Sequence, residues 1–281
     1  MILVTGATGN VGRALVDALA ADGQAVRGMT RRPESAGFPA GVEAVYGDAG
    51  EPDSLTEAFR GVRRAFLMTA QPPGSAPTPT HDAALAEAAR RAGVEHVVKL
   101  SVYHVDPDGD PLSAWNAAAE KAATDGLPAT VLRPGRYMSN ALHWVPMIGR
   151  GDTVYVPFAH RLAASIDPAD IATLAAAALT TDTHVGAVYQ LSGPAALTPV
   201  EELAILGAAL GRKLEAVEPP VSAFRDGMIG SGMSPEVVDA VLDQSIHSDL
   251  GAQVLPGMAE LLGRPQTTFA EWVAANVKRF S

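Results

Sequence analysis

Gly6-Ala7-Thr8-Gly9-Asn10-Val11-Gly12 places three glycines at the spacing GxxGxxG, after the apolar run Ile2–Val4 and before an amphipathic stretch. Glycine permits a tight turn and lets main chain approach a ligand, while the start of a helix offers free N–H groups and the positive end of its dipole. Strand, glycine turn and helix in that order suit a dinucleotide's pyrophosphate, with Gly6, Thr8, Gly9, Asn10, Val11 and Gly12 as its expected neighbours. Gly12 additionally lets helix and strand pack closely.

Selectivity between dinucleotides rests on the end of the second strand, where an acidic residue accepts from the ribose hydroxyls of NAD. Here the chain runs Met29-Thr30-Arg31-Arg32-Pro33. Guanidinium groups there pair with a 2′-phosphate, so NADP(H) is expected over NAD(H), through Arg31 first and Arg32 second. The alternative is that two exposed arginines simply solvate a loop. Asp48 either accepts from the adenine amino group or caps the following helix.

The elements that must position these residues follow from periodicity. Strands are expected at 2–4, 25–29, 42–46, 65–68, 96–100 and 129–132, with helices after the glycine turn and at 54–59, 82–92 and 115–124. Val11, Ala14, Leu15, Ala18 and Leu19 give the first helix one apolar face, and Asp22-Gly23 ends it. This alternation predicts an α/β fold, a Rossmann-type doubly wound parallel sheet with helices on both faces. Beyond residue 135 the pattern loosens into helices at 168–179, 199–210, 235–244 and 269–277, with strands near 153–156, 162–166 and 188–191. The expected division is a nucleotide domain over 1–135, with possible return segments near 162–192, and a smaller α+β substrate lobe over 136–281. The Pro, Ser and Thr-rich stretch 71–80 reads as a loop.

A chain of 281 residues with net charge −10 is poorly suited to nucleic acid, whose binding rests on Lys and Arg neutralising phosphates. The absence of cysteine excludes disulfides, thiolate metal sites and cysteine nucleophiles. The seven histidines show no close metal spacing, so no metal is expected. No apolar run approaches the roughly 20 residues of a membrane span, and a strand directly after Met1 leaves no room for a signal peptide; the cytoplasm is the expectation. The expected partner is a small-molecule substrate, with monomer and homodimer both open.

GATGNVG, TRRPE after the second strand, Gly47-Asp48 followed by Ser54-Leu55, the LSVYH segment at 100–104, Leu132-Arg133-Pro134, Asp170-Ile171-Ala172 and the tail Leu261-Leu262-Gly263-Arg264-Pro265 together resemble the NmrA-like branch of the atypical short-chain dehydrogenases. Within it they look most like the bacterial NAD(P)H:quinone oxidoreductases. The resemblance implies an NADPH domain with a C-terminal lobe and a substrate cleft between them. It also implies that Thr69 and Ala70 lie along the cofactor, with Ser101 and Pro134 near its nicotinamide end. Tyr137, Met138 and Trp144 are candidates for the substrate cleft, though helical spacing favours the core for Trp144.

The Tyr and Lys pair four residues apart that short-chain dehydrogenases use as proton donor is missing: the five tyrosines are followed at that spacing by Gly50, Pro107, Ala141, Ala159 and Gly193. Lys121 stands one and a half turns beyond the place of the lysine in related isoflavone-type reductases and either inherits its role or is a solvated helix lysine. Tyr103 and His104 are the local candidates for proton donor. Hydride transfer itself needs a donor ring held against an acceptor, and a quinone spreads the arriving charge over a conjugated ring. The expected function is thus an NADPH-dependent reductase of quinones or similar conjugated molecules. A non-catalytic NADP(H) sensor is the alternative; a sugar-nucleotide epimerase or dehydratase is a weaker one, since that chemistry must remove a hydroxyl proton.

Overall fold

The structure is a computed structural model and describes residues 1–103 and 105–280. The chain folds as two compact units, one comprising Met1–Arg133 and Ile171–Gln190, the other Pro134–Asp170 and Leu191–Ser281.

The first unit holds β1 (Ile2–Val4), α1 (Asn10–Ala21), β2 (Val26–Thr30), β3 (Glu43–Tyr46), α2 (Leu55–Ala58), β4 (Arg64–Leu67), α3 (Thr80–Ala92), β5 (His96–Leu100), α4 (Pro111–Thr124) and nearly all of β6 (Ala129–Pro134). In the other unit lie α5 (Val145–Ile148) and β7 (Thr153–Tyr155), after which α6 (Pro168–Thr180) and β8 (Val188–Leu191) return to the first. The rest of the second unit is α7 (Pro199–Leu210), β9 (Glu215–Val217), α8 (Val221–Gly230), α9 (Pro235–His247), α10 (Met258–Leu262) and α11 (Phe269–Asn276).

Seven strands form one sheet in the order β3-β2-β1-β4-β5-β6-β8. The pairs β1–β2, β1–β4, β2–β3, β4–β5 and β5–β6 are parallel, as expected for strands joined by crossovers. Strand order reverses direction at β1, between β2 and β4. In open α/β sheets such a switch point opens a crevice beyond the carboxyl ends of the strands. β1 is buried along its length, and Leu3 packs with Met29, Leu55, Phe59, Leu67, Leu85 and Val97 in the core. Arg64 ties the return segment down, donating to the carbonyls of Leu179 and Thr181 and pairing with Asp182 at 2.5 Å.

Local capping explains several boundaries. Asp110 accepts from the N–H groups of Leu112 and Ser113 at the start of α4, and Thr198–Glu201 and Thr268–Glu271 form capping boxes on α7 and α11. Gly93 ends α3 in the left-handed region at φ 72°. In the second unit β7 and β9 pair in parallel, and Met138, Trp144, Ile148, Leu203, Leu206, Phe269 and Trp272 form a separate core.

The expected strand at 162–166 is a correction. It carries only isolated bridges, Ala163 to Leu197 and Tyr137 to Ile166, because no single neighbour runs beside it far enough to build a ladder. The sequence pattern does not announce α8: none of its residues is buried, so it shows no core-facing stripe, and it contains Gly227 and Gly230.

His96 is buried at the start of β5, its Nε2 3.0 Å from the hydroxyl of Thr130. Burial, reinforced by the nearby Arg64 charge, lowers its pKa below the ordinary imidazole value. The unfolded chain therefore binds this proton more tightly than the folded one, and stability falls as pH drops from about 6.5 toward the lowered folded value. Urea midpoints at pH 7.5 and 5.5 check this: the loss on acidification is expected to shrink in His96→Gln, and an unchanged pH slope counts against it.

Candidate active site

At the carboxyl end of β1, Gly6 adopts φ 59°, and Gly9 N–H donates to the Gly6 carbonyl at 2.9 Å to close the turn. A Cβ built on Gly12 lies 2.2 Å from the Gly6 carbonyl oxygen and 2.8 Å from its carbon, so only glycine permits this approach of helix and turn. A Cβ on Gly6 would meet the end of the Met68 side chain at 3.0 Å, which places Met68 over the turn. Thr5 fastens the turn to the neighbouring strand end, its hydroxyl donating to the Met68 carbonyl and accepting the Met68 N–H at 2.9 and 2.8 Å.

α1 differs from the capped helices of the chain. α4, α7, α9 and α11 have N-terminal N–H groups satisfied by Asp110, Thr198, Ser234 and Thr268, whereas the N-cap of α1 is Gly9, which offers no side chain. No acidic residue occupies its first turn. Among the described residues no side chain caps this helix start, and its backbone and dipole could hold a diphosphate.

Beyond β2, Arg31 and Arg32 are exposed. Most arginines of the chain are held in ion pairs, yet neither of these side chains makes a hydrogen bond or ion pair among the described residues. The loop after them is anchored by Arg13 of α1, which donates to the carbonyls of Ala36 and Gly37 and lies 5.4 Å from the Phe38 ring centroid. Phe38 in turn occupies the space a side chain at Gly28 would take, 2.4 Å from its built Cβ. Asp48, after β3, accepts from Gly50 N–H at 2.9 Å within its own loop and caps neither the 3-10 turn Pro52–Ser54 nor α2, while Ser54 braces its backbone.

Two hydroxyls stand at the next strand ends, each tied to a carboxylate that is itself paired with a cation. After β4, Thr69 donates to Asp82 of α3 at 3.0 Å, and Asp82 accepts from Lys99 of β5 at 2.6 Å. Lys99 and Asp82 side chains are only 5% and 3% exposed, so this pair is effectively out of water. After β5, Ser101 donates to Glu120 of α4 at 2.8 Å, and Arg133 of β6 grips Glu120 through two hydrogen bonds of 2.9 and 2.6 Å. Lys99, Asp82 and Glu120 carry no motif that marks them, and Arg133 stands out only within Leu132-Arg133-Pro134. A lysine inside the apolar run His96–Leu100 is the available signal, since a strand buried on both faces admits a cation only with a partner.

Of the remaining candidates, Ala70 is exposed beyond Thr69 and Pro134 ends β6, buried. Tyr103 is half-buried and burial raises its phenol pKa. His104 lies outside the described residues. Lys121 is exposed on the last turn of α4, while adjacent Glu120 turns inward.

In the second unit, burial pushes the phenol of Tyr137 up to about 12. Trp144 is 5% exposed and packs with Ala141 and Ile148, the core placement its helical spacing favours over the cleft. Met138, 2% exposed, belongs to that core and also lines a cavity of about 130 Å³ with Ser165, Leu197, Glu202 and Phe269. Arg136 and Ser165 both donate to the buried Glu202 there, at 2.6 to 2.8 Å.

Residues 6–182 match the model of a family described as NAD(P)H-binding. The chain is 40% identical to the (4-alkanoyl-5-oxo-2,5-dihydrofuran-3-yl)methyl phosphate reductase of Streptomyces griseus, an alignment covering 100% of this chain and 99% of that one. It is 32% identical to the NAD(P)H azoreductase of Xenophilus azovorans, again over 100% and 99%. Among solved structures it is similar to the NADPH-dependent quinone oxidoreductase of Escherichia coli complexed with NADPH, with TM-score 0.77, 26% identity, and 98% and 99% of the two chains covered. No helix of the described residues is long and apolar enough to cross a membrane.

Proposed function

This chain belongs to the NAD(P)H-binding family, and from that premise we propose that it is an NADPH-dependent reductase of conjugated small molecules, quinones among them. The observation that carries the reading is the glycine cradle below an uncapped helix, in which Gly12 has no room for a Cβ. The substrates for which the relatives are named support the acceptor class. An alkanoyl furanone, an azo compound and a quinone are all conjugated, electron-poor π systems.

In this reading Gly6, Thr8, Gly9, Asn10, Val11 and Gly12 hold the diphosphate. Arg31, joined by Arg32, binds the 2′-phosphate, and Thr69, Ala70, Ser101 and Pro134 flank the nicotinamide half. When bound, NADPH supplies a hydride to the acceptor. The chain's residues bind and orient; a conjugated acceptor delocalises the charge it receives, so its protonation can follow from solvent without a resident Tyr–Lys pair.

Two measurements test the proposal. Purified protein offered a panel of quinones and azo dyes is expected to oxidise NADPH, and no turnover above the protein-free rate on any of them overturns the reductase reading. Arg31→Ala is expected to weaken NADPH binding by about 1 to 3 kcal/mol, the worth of a charge-assisted contact, and to leave NADH nearly unchanged. Equal losses for both cofactors show that the 2′-phosphate is read elsewhere. A second reading, a sensor of NADP(H) state, is favoured by the exposed Lys121 and by the commitment of the Ser101 proton to Glu120. Tight NADP+ binding with no consumption of NADPH on the whole panel selects it.

A further inference from the structure

The polar groups at the carboxyl ends of β4, β5 and β6 are more constrained than binding alone requires. Both oxygens of Glu120 accept from Arg133, so the hydrogen that joins Ser101 to Glu120 is supplied by the hydroxyl. Ser101 thus has no proton left to donate and offers a ligand only lone pairs. The neighbouring strand repeats the device, with the Thr69 hydroxyl spent on Asp82 and Asp82 held by Lys99. Two independent cation–carboxylate pairs fixing two hydroxyls in one sense point to a ligand whose facing atoms are donors.

A dinucleotide crossing the switch point with its phosphates on the β1 turn and its adenosine toward β2 places its other half over β4 and β5. That half carries one strong nitrogen donor, the carboxamide NH2. We infer that Ser101 is a hydrogen-bond acceptor for this NH2, with Glu120 and Arg133 as positioning residues that hold the hydroxyl in that sense. The inference rests on the dinucleotide reading above. It also removes Ser101 from the groups able to protonate a substrate.

Equilibrium binding by calorimetry tests it on the full chain, with NADP+ and with 3-acetylpyridine adenine dinucleotide phosphate, in which a methyl group replaces the carboxamide NH2. Ser101→Ala is expected to weaken NADP+ about five- to tenfold and to change the affinity of the acetyl analogue less than about twofold. Ser101→Thr, which keeps the hydroxyl, is expected to restore most of the NADP+ affinity. Glu120→Gln, which turns an obligate acceptor into a group that can also donate, is expected to repeat the selective loss on a smaller scale.

Equal weakening of both ligands by Ser101→Ala assigns the residue a structural role and overturns the inference, as does no effect on either. A Glu120→Gln variant that lowers both affinities alike overturns the positioning role. Circular dichroism on each variant separates these results from misfolding. Wild-type protein that binds neither dinucleotide fails the underlying reading instead, and the two failures are therefore distinct.

Discussion

Gly12→Ala is expected to weaken NADPH binding by at least about a hundredfold, roughly 3 kcal/mol, and to lower the thermal midpoint as well. The added methyl would sit 2.2 Å from one backbone atom, with a second at 2.8 Å and a third at 3.0 Å, and backbone cannot rotate away as a flexible side chain does. Relief comes only by lifting the start of α1 off the turn, which costs packing against β1 and misaims the N–H groups that face the anion. Gly9→Ala is the control for the thermal midpoint. Its Cβ meets the Gly6 oxygen at 3.2 Å, and Gly9 already has φ −80° and ψ 176°, which alanine adopts freely. Titration of NADPH fluorescence and thermal melts check this; a Gly12→Ala protein that binds NADPH as well as wild type would show that the close approach is dispensable.

Lys99→Met is expected to cost about 3 to 5 kcal/mol of stability at neutral pH, because it leaves the Asp82 carboxylate buried without its cation. Against a total of about 5 to 15 kcal/mol for a typical domain, that is a large share. The pair itself is not a large source of net stability, since both charges must be stripped of water. The double variant Lys99→Met with Asp82→Leu is therefore expected to recover most of the loss while leaving the Thr69 hydroxyl without its acceptor. Urea denaturation of the two variants decides this. A loss below about 1 kcal/mol in the single variant would mean that water reaches Asp82.

The first unit is largely legible from its residues because its signals are local. β5 and the glycine turn follow from an apolar run and from glycine spacing, and parallel pairing follows from the alternation of strands with helical stretches. The glycine turn proposed to hold the diphosphate is readable for the same reason: its atoms are backbone, and glycine is the residue that lets backbone approach. The relays behind Thr69 and Ser101 are not readable. Asp82 and Lys99 stand 17 positions apart, Glu120 and Arg133 stand 13 apart, and both pairings depend on α3 and α4 packing beside the sheet. The second unit is harder still. α8 buries no residue, and Ala163 and Ile166 each bridge a different partner, so neither segment carries a period that betrays its neighbours.

The first unit is assembled from two separated stretches of chain, and β8 lies at the sheet margin beside β6. On the ribosome, the first unit has to wait: its last strand emerges only after residues 134–170 have been made. A nascent or prematurely released polypeptide ending at Arg133 exposes the bare hydrogen-bonding rim of β6, an adhesive template for other chains. Cutting this protein at its apparent midpoint to obtain a minimal cofactor module would thus yield an aggregating fragment, whereas a graft that carries residues 171–190 along would close the rim.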